Sequence, residues 1–351
     1  MIRRYRAPGR INLIGEHTDY NLGYVLPMAI DRHCLATAEA RDGGMLYLAS
    51  RQFPETLQIP VAALATATPR GDWTDYPVGV ARELERAGFP LTGLSLEVDS
   101  TVPVGSGLSS SASLLVASAL AFLGGRECDG LALVELCQRA ESEFVGLPCG
   151  IMDYAISLFG EEGAALLLDC RSREGRLVPL PPEAAIVAVN SMVKHELAGT
   201  AYADRVRECQ EAARQARVPH LRDAPLDQVA HLPRARHVVT ENQRVLDFAD
   251  AADAGDLEHL GKLMVESHRS LQQDYQVSCA ELDTLVELAL ELPGVYGARL
   301  TGGGFGGCTV NLVSDVMADQ FAHAIRQRYQ AKCGIVPEVL ICRASGGAST
   351  L

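Results

Sequence analysis

Apolar residues recur along the chain with two different periods. Runs with a period of two, and short continuous apolar runs, predict β-strands, whereas apolar residues at three- and four-residue intervals predict helices. The predicted strands lie near Gly44–Ser50, Leu94–Val98, Ala164–Asp169, Ala185–Asn190 and Cys308–Leu312. The predicted helices are Ser110–Leu123, Gly130–Glu143, Ala201–Ala216, Leu257–Asp274, Cys279–Glu291 and Ser314–Ala331. Because strands and helices are interleaved, the sequence predicts a mixed fold of α and β elements.

The length of the chain, 351 residues, is comfortable for two domains. The segment Glu174–Pro182 carries a glycine and prolines between two predicted strands, as connections between domains often do. We therefore predict one domain over residues 1–180 and a second over residues 181–351.

The charge and cysteine content narrow the functional classes. The net charge of −13 gives a surface that repels nucleic acids and anionic membranes. No apolar run approaches the roughly 18 residues of a membrane span, and none follows the basic N-terminal residues, so we expect neither a span nor a signal peptide. The ten cysteines stand singly with no CxxC pair, which is typical of reduced thiols in a cytoplasmic protein. Because the net charge is negative, any phosphate-bearing ligand must be attracted by local groups rather than by the field of the whole protein.

The segment Val102–Ser113 has the composition of an anion-binding helix start. Its sequence, VPVGSGLSSSAS, places Gly105 and Gly107 before three serines and runs directly into a predicted helix. The first amides of a helix lack internal partners and lie at the positive end of its dipole, so with serine hydroxyls they suit a triphosphate. No lysine follows as in a P-loop, and Ser110 stands where a dinucleotide fingerprint needs its third glycine. We interpret the segment as a phosphate-binding loop of a third kind.

A second glycine-rich segment, Leu300–Thr309, reads LTGGGFGGCT and has five glycines in six positions. So many glycines are entropically costly in an ordinary surface turn. The segment therefore predicts a loop packed tightly against another backbone or a ligand.

The segment Ala7–Gly23 concentrates hydrogen-bonding side chains among apolar and glycine neighbours; they are Arg10, Glu16, His17 and Asp19. Carboxylates accept hydrogen bonds from hydroxyls and imidazole either accepts or donates, so the set suits a polyol. A metal site formed by Glu16, His17 and Asp19 is the alternative, although no second histidine stands nearby at ligand spacing.

These segments resemble the GHMP kinases and, within them, the galactokinases. Gly9–Pro27 (GRINLIGEHTDYNLGYVLP) looks like the galactokinase signature, and VPVGSGLSSSAS and LTGGGFGG are similar to two GHMP motifs. The resemblance extends to Glu143–Asp153 and Ser267–Asp283 and so covers nearly the whole chain. It implies a two-domain α+β GHMP kinase fold, with an N-terminal mixed sheet and helices, a C-terminal ferredoxin-like half, and an active site in the cleft between them. It also implies ATP-dependent phosphorylation of the C1 hydroxyl of galactose.

The resemblance further implies roles for individual residues. Asp153 corresponds to the aspartate that faces the sugar C1 hydroxyl, and Arg10 to the arginine between that carboxylate and the γ-phosphate. The implied galactose-binding set is Glu16, His17, Asp19, the backbone at Gly150, and Tyr202. The implied ATP-binding set is Trp73 near the adenine together with Gly105, Ser106, Gly107, Leu108, Ser109, Ser110, Ser111 and Ala112. The implied Mg²⁺ ligands are Ser111 and Glu141, and the third motif contributes Gly302, Gly303 and Gly304. We expect a monomer, with a weak dimer as the alternative.

Three positions depart from the usual galactokinase pattern. Leu115 stands where a glutamate is usual, Tyr154 where CGIMDQ has glutamine, and Met192 where an asparagine is common. Met192 and Tyr154 lie close in sequence to sugar-site segments, so they bear on substrate range. Two alternatives stay open: another GHMP sugar kinase, acting on N-acetylgalactosamine, arabinose or galacturonate, and a galactose- and ATP-binding sensor without catalysis.

Overall fold

A six-stranded mixed sheet organises the N-terminal half of the computed structural model, which describes residues 2–194 and 198–351. Only β4 and β6 pair in parallel, and the other neighbours are antiparallel. In spatial order the strands are β13 (Ser349–Thr350), β1 (Ile2–Asn12), β3 (Pro27–Ala40), β6 (Leu94–Ser100), β4 (Met45–Ser50) and β5 (Leu57–Pro60). The pairing of β13 with β1 returns the end of the chain to the first sheet.

Four helices belong to this half: α1 (Asp75–Arg86), α2 (Ser110–Leu123), α3 (Gly130–Arg139) and α4 (Met152–Phe159). The most apolar of them, α2, packs on β1 and β3 and is buried over most of its surface. Alternate residues of β3, including Cys34, Ala36 and Ala38, face the same core. The period of two in β3 and the nearly continuous apolar run in α2 therefore form one layered core.

A four-stranded antiparallel sheet organises the C-terminal half. Its spatial order is β10 (Val295–Thr301), β11 (Gly306–Ser314), β9 (Ala184–Lys194) and β12 (Glu338–Cys342). Numbered along the chain from β9, the order is 4-1-3-2, with helices in both crossovers, which is the ferredoxin-like arrangement. The helices are α5 (Ala198–Ala216), α6 (Leu226–Val229), α7 (Pro233–Asp253), α8 (Leu257–Ser270), α9 (Ala280–Leu290) and α10 (Ala318–Cys333).

The two halves share packed elements. A three-stranded sheet formed by β2 (Tyr24–Val25), β7 (Ala164–Asp169) and β8 (Gly175–Pro179) lies between them, and its strand β8 contacts α7. One apolar cluster joins Ile11 and Met28 of the first sheet to Phe248 and Val310 of the second half. The predicted domain boundary at residue 180 falls in the connection from β8 to β9 and stays a prediction.

Short helical turns complete the chain, and two of them are π-helical. They extend α3 through Ala140–Val145 and α8 through Leu271–Tyr275. The 3₁₀ turns are Asp19–Asn21, Val61–Thr66, Leu221–Asp223 and Asp315–Met317. Among the described residues, no helix combines the length and apolar character that a membrane crossing requires.

Candidate active site

A polar cavity of about 180 Å³ lies where the two halves meet. Its walls contain every residue of the expected galactose-binding set, in addition to Arg10, Asp153 and Glu141. Gly302 and Gly303 of the third motif close the cavity from the C-terminal half, whereas Gly304 does not line it. Segments that are far apart in the chain therefore converge on one site.

The central contact of this site is a two-pronged ion pair between Arg10 and Asp153. Arg10 Nε and Nη2 donate to the two carboxylate oxygens of Asp153, each at 2.8 Å. Arg10 Nη1 donates to the carbonyl oxygen of Gly107 at 2.5 Å, and the Ser109 hydroxyl donates to Asp153. Two planar groups held by parallel hydrogen bonds have a fixed mutual orientation. The contact therefore fixes Asp153, in the first turn of α4, relative to the glycine–serine loop.

The glycine–serine loop lies against β1, where the strand is irregular. The β1–β3 register shifts between Pro8 and Arg10, and such a bulge redirects the following side chain. A Cβ at Gly9 would lie 2.7 Å from the carbonyl oxygen of Leu108, so the close approach requires glycine. The Arg10 amide then donates to that same carbonyl at 3.1 Å. The loop is thereby fastened to the strand that carries Arg10.

The start of α2 has the features of an anion site. Ser109 precedes the helix with a left-handed φ of 59°, and its side chain makes no capping hydrogen bond. Its hydroxyl is directed to Asp153 instead, so the first amides of α2 receive no side-chain acceptor from the capping residue. A non-glycine residue held in this conformation is strained, and such strain is typical of functional sites.

A larger cavity of about 550 Å³ opens beside the start of α2. Of the expected ATP-binding set, Trp73, Ser110 and Ser111 line it. Trp73 is buried, and its Nε1 donates to the carbonyl oxygen of Glu55 at 3.0 Å. Exposed apolar residues, Val104 and Leu147, stand in the same wall. The remaining members of that set are not lining residues; they are Gly105, Ser106, Gly107, Leu108, Ser109 and Ala112.

Ser111 and Glu141 are the two expected magnesium ligands, and each lines a different cavity. Ser111 lines the larger cavity and Glu141 the smaller one, and the Ser111 side chain is near enough to lower the pKa of that carboxyl slightly. Burial raises the pKa of Glu141 to about 7, since a charged carboxylate is poorly solvated there. Hard oxygen donors and an under-solvated carboxylate fit a Mg²⁺ ion that takes its other ligands from phosphates and water.

The alternative metal site is not formed. Within residues 2–194 and 198–351, no three His, Cys, Asp or Glu side chains are placed to share a metal ion. Glu16 is directed elsewhere: it pairs with the buried Arg299 at 2.8 Å and accepts from the Gly302 amide at 2.6 Å. Burial raises the pKa of Glu16, and the Arg299 charge opposes that rise. This pair connects the first motif to the third.

Two side chains of the smaller cavity, His17 and Asp19, are suited to form hydrogen bonds with ligand hydroxyls. Burial lowers the pKa of His17 to about 3, so its ring is neutral. Its Nδ1 lies 2.8 Å from the Tyr20 hydroxyl, while its Nε2 makes no well-formed hydrogen bond among the described residues. Burial raises the pKa of Asp19 to about 6. A Cβ at Gly150 would lie 1.8 Å from Asp19 Oδ2, so only glycine leaves room for this carboxylate.

The third motif packs against backbone, as its glycines suggest. A Cβ at Gly304 would lie 2.2 Å from the carbonyl oxygen of Val277. Gly302 faces Gly107, where a Cβ would be 3.5 Å from the carbonyl oxygen. The third motif and the phosphate loop are therefore direct neighbours.

The structure adds residues that sequence reasoning did not single out. Tyr20 lies between His17 and Tyr275, with 2.6 Å between the two tyrosine hydroxyls. Tyr275 also stacks beside His17, with 4.6 Å between ring centroids. Tyr20, Tyr275 and Arg299 all lie in or beside segments that resemble family motifs, which is the one signal that could have found them.

The three departures from the family pattern have different surroundings. Leu115 is fully buried in the core beneath α2. Met192 is 56% exposed and is not among the residues lining the smaller cavity, so it does not shape that pocket. Tyr154 lines the smaller cavity, but its hydroxyl is directed at Glu141 and Cys149.

Three family descriptions match the chain. "Galactokinase galactose-binding signature" matches residues 3–40, "GHMP kinases N terminal domain" matches residues 75–161, and "GHMP kinases C terminal" matches residues 248–331. The first range holds Arg10 and the hydrogen-bonding side chains that follow it.

The chain is also similar to curated proteins and solved structures over its full length. It is 46% identical to galactokinase of Chloroflexus aggregans, over 98% of this chain and 92% of that protein. It is 45% identical to galactokinase of Homo sapiens, over 98% of this chain and 91% of that protein. The crystal structure of Lactococcus lactis galactokinase complexed with galactose superimposes with a TM-score of 0.95 at 34% identity, covering 100% of this chain and 95% of that one. Mevalonate kinase of Methanococcus jannaschii shares the fold, with a TM-score of 0.74 at 20% identity, covering 99% and 98% of the two chains. The chain therefore belongs to the galactokinase family of the GHMP kinases.

Proposed function

We propose that this chain transfers the γ-phosphoryl group of ATP to the C1 hydroxyl of galactose, giving galactose 1-phosphate and ADP. The observation that carries the proposal is the Arg10–Asp153 contact, which lies in the smaller cavity and is hydrogen-bonded to the glycine–serine loop. An acceptor hydroxyl beside Asp153 would face a phosphate held at the start of α2. Phosphoryl transfer needs such positioning more than it needs covalent catalysis.

In this reaction the bond from the C1 oxygen to the γ-phosphorus forms while the bond from that phosphorus to the β–γ bridging oxygen breaks. Asp153 orients the C1 hydroxyl and accepts its proton as the new bond forms. Arg10, held between Asp153 and the Gly107 carbonyl, supplies positive charge beside the transferred group, where negative charge spreads over the phosphoryl oxygens. The two residues thus act on the two reacting atoms.

Galactose is held by the polar walls of the smaller cavity. Asp19 accepts from sugar hydroxyls, and His17 presents a neutral Nε2 that is otherwise unpaired among the described residues. A hexose with one inverted hydroxyl would leave a buried acceptor unpaired, which costs about 1–3 kcal/mol. Rejection of glucose follows from that mismatch.

Ser111 and Glu141 are the residues that would hold Mg²⁺, with the phosphates of ATP as its other partners. When bound, the ion neutralises phosphate charge during transfer. Ser111 and Glu141 would contribute one oxygen donor from the wall of the nucleotide cavity and one from the wall of the sugar cavity.

A cytoplasmic location is part of the proposal. All ten cysteines are free thiols, and six of them are buried, as expected in a reducing compartment. The monomeric state stays a prediction.

The decisive test is ADP release with magnesium and ATP across galactose, glucose, N-acetylgalactosamine, arabinose and galacturonate. Asp153→Asn should lower the rate with galactose by about 10²–10⁴-fold, the range for a lost general base, while galactose binding measured by calorimetry persists. Asp31→Asn, at an exposed position on β3, is the matched control and should leave the rate unchanged.

Full activity of Asp153→Asn would contradict the role given to that residue. Release with another of these sugars alone would contradict the choice of galactose. Galactose binding without ADP release from any sugar would favour the sensor.

A further inference from the structure

Tyr154 forms an unusual contact inside the active site. Its side chain is buried, with 1% of its surface exposed, and its hydroxyl donates to Glu141 Oε2 at 2.5 Å. The same hydroxyl lies 3.1 Å from the Cys149 sulfur. A buried tyrosine normally needs a hydrogen-bond partner, and here the partner is a carboxylate of the phosphate-transfer site.

Two neighbouring side chains, Ser111 and Tyr154, therefore act on the Glu141 carboxylate. The Ser111 side chain is near enough to influence the carboxyl group, and the Tyr154 hydroxyl donates to its Oε2. Glu141 stands in the π-helical turn that follows α3, and such turns are frequent at functional sites because the extra residue redirects a side chain. A redirected carboxylate needs a second contact to keep one orientation.

Tyr154 is well placed to provide that contact. It follows Asp153 directly in α4, so the same helical turn presents one side chain to the sugar and the next to Glu141. The hydroxyl can donate only along a fixed direction set by the packed ring, whereas a flexible side chain would allow the carboxylate to rotate.

We propose that Tyr154 is a positioning residue, whose hydroxyl holds the Glu141 carboxylate beside Ser111 in the orientation that receives the magnesium ion carried by ATP. The inference rests on the proposed Ser111–Glu141 ligand pair. Groups that orient a metal ligand typically change metal affinity by 10–100-fold when they are removed.

The test measures how strongly magnesium assists nucleotide binding, without turnover. The dissociation constant of a non-hydrolysable ATP analogue is determined by calorimetry with saturating Mg²⁺ and again with EDTA, and the ratio of the two is the magnesium gain. Tyr154→Phe should reduce this gain by about tenfold, the low end of the effect of an orienting group. Its affinity in EDTA should stay at the wild-type value, because the partners of the hydroxyl are Glu141 and Cys149, and neither belongs to the expected ATP-binding set.

Tyr329→Phe is the matched control, because the Tyr329 hydroxyl is also buried and hydrogen-bonded, to the carbonyl oxygen of Ser191 at 3.2 Å, but lies outside both cavities. It should keep the full gain, and its melting temperature shows what the loss of a buried hydroxyl does to the fold alone. Glu141→Gln should abolish most of the gain.

The outcomes separate the two proposals. If Glu141→Gln loses the gain but Tyr154→Phe keeps it, the ligand pair stands and the role of Tyr154 is refuted. If Tyr154→Phe loses affinity equally with and without magnesium, its role is packing and the proposal is overturned. If Glu141→Gln keeps the gain, the ligand pair itself is wrong and the inference falls with it.

Discussion

A buried ion pair between Arg299 and Glu16 joins the first and third motifs, and its removal should cost more stability than that of an exposed pair. Arg299 is fully buried, and the Glu16 side chain is 2% exposed. Arg299 Nη1 also donates to the carbonyl oxygens of Asn12 and Leu13, at 3.2 and 2.8 Å. Arg299→Met therefore leaves a buried carboxylate without its counter-charge and removes one donor from two carbonyls, of which that of Asn12 keeps the Thr301 hydroxyl.

The size of the stability loss depends on the hydrogen bonds that Glu16 keeps in the variant. Removing one member of a buried pair costs about 3–5 kcal/mol, because the remaining charge stays desolvated. Glu16 would keep hydrogen bonds from the Gly302 amide and from the Asn12 side-chain amide, which favours the lower end of that range. We expect Arg299→Met to lower the free energy of unfolding by about 3 kcal/mol at neutral pH.

The stability loss of Arg299→Met should be larger at neutral pH than at acidic pH. Burial already raises the pKa of Glu16, and the Arg299 charge lowers it, so the variant must have a still higher pKa. A carboxyl whose folded-state pKa is raised takes up a proton more readily in the folded than in the unfolded state. Its penalty is therefore smallest below the ordinary carboxyl pKa and grows as the pH rises towards the folded-state pKa. The deficit of Arg299→Met should shrink when the pH is lowered from neutral towards 4.5.

Guanidinium unfolding at several pH values measures the deficit, with Arg176→Met as the matched control. Arg176 pairs with Asp253 at 2.8 Å, but both side chains are more than 40% exposed, so its loss should cost less than about 1 kcal/mol. The double variant Glu16→Gln with Arg299→Met should recover part of the loss, since it leaves no buried charge. A deficit no larger than that of Arg176→Met, or one that does not change with pH, would refute this reasoning.

Two further predictions concern Asp19. Because burial raises the pKa of Asp19 to about 6, the carboxyl of the empty site takes up a proton below that pH. The galactose dissociation constant measured by calorimetry should therefore rise by up to about tenfold for each pH unit below 6. Asp19→Asn should bind galactose weakly at every pH, without this dependence. Gly150→Ala would place a methyl group 1.8 Å from Asp19 Oδ2 and should weaken galactose binding or turnover by about a hundredfold, as a displaced reacting group does. Gly346→Ala is the control, since an added Cβ there meets nothing within 4 Å, and equal effects of the two substitutions would contradict the steric argument.

The elements that could be predicted from sequence are those whose pattern matches their burial. The helix Ser110–Leu123 and the strand Ala164–Asp169 have the predicted bounds, because apolar residues dominate each segment and each has a clear start. Ile2–Asn12 was not predicted as a strand, because its exposed first half is basic and Pro8 and Gly9 interrupt it. The helix Pro233–Asp253 was also not predicted. It buries polar side chains, including His237, Glu241 and Asn242, and these interrupt the apolar period of a helix.

The candidate site was predictable where a local motif specifies it and unpredictable where it depends on long-range contacts. Glu16, His17 and Asp19 stand in one short segment and line one cavity. Arg299 was not singled out in the sequence, and only the fold shows that it is buried against Glu16. Tyr154 could be marked as a departure from the family, but its contact with Glu141 depends on how α4 packs beside the π-helical turn.

The charges around the two cavities explain why the nucleotide should arrive with its metal. Among the described lining residues, the one side chain that is cationic at neutral pH is Arg10, and its guanidinium is already paired with Asp153. The other ionisable carboxyls in these walls include Glu16, Asp19 and Glu141. The chain as a whole carries a net charge of −13, so neither the distant field nor the lining residues attract a bare triphosphate. The amides at the start of α2 provide directional contacts but only a fraction of a positive charge. We infer that most of the electrostatic compensation comes with the magnesium ion of the ATP complex, which predicts weak binding of the ATP analogue in EDTA.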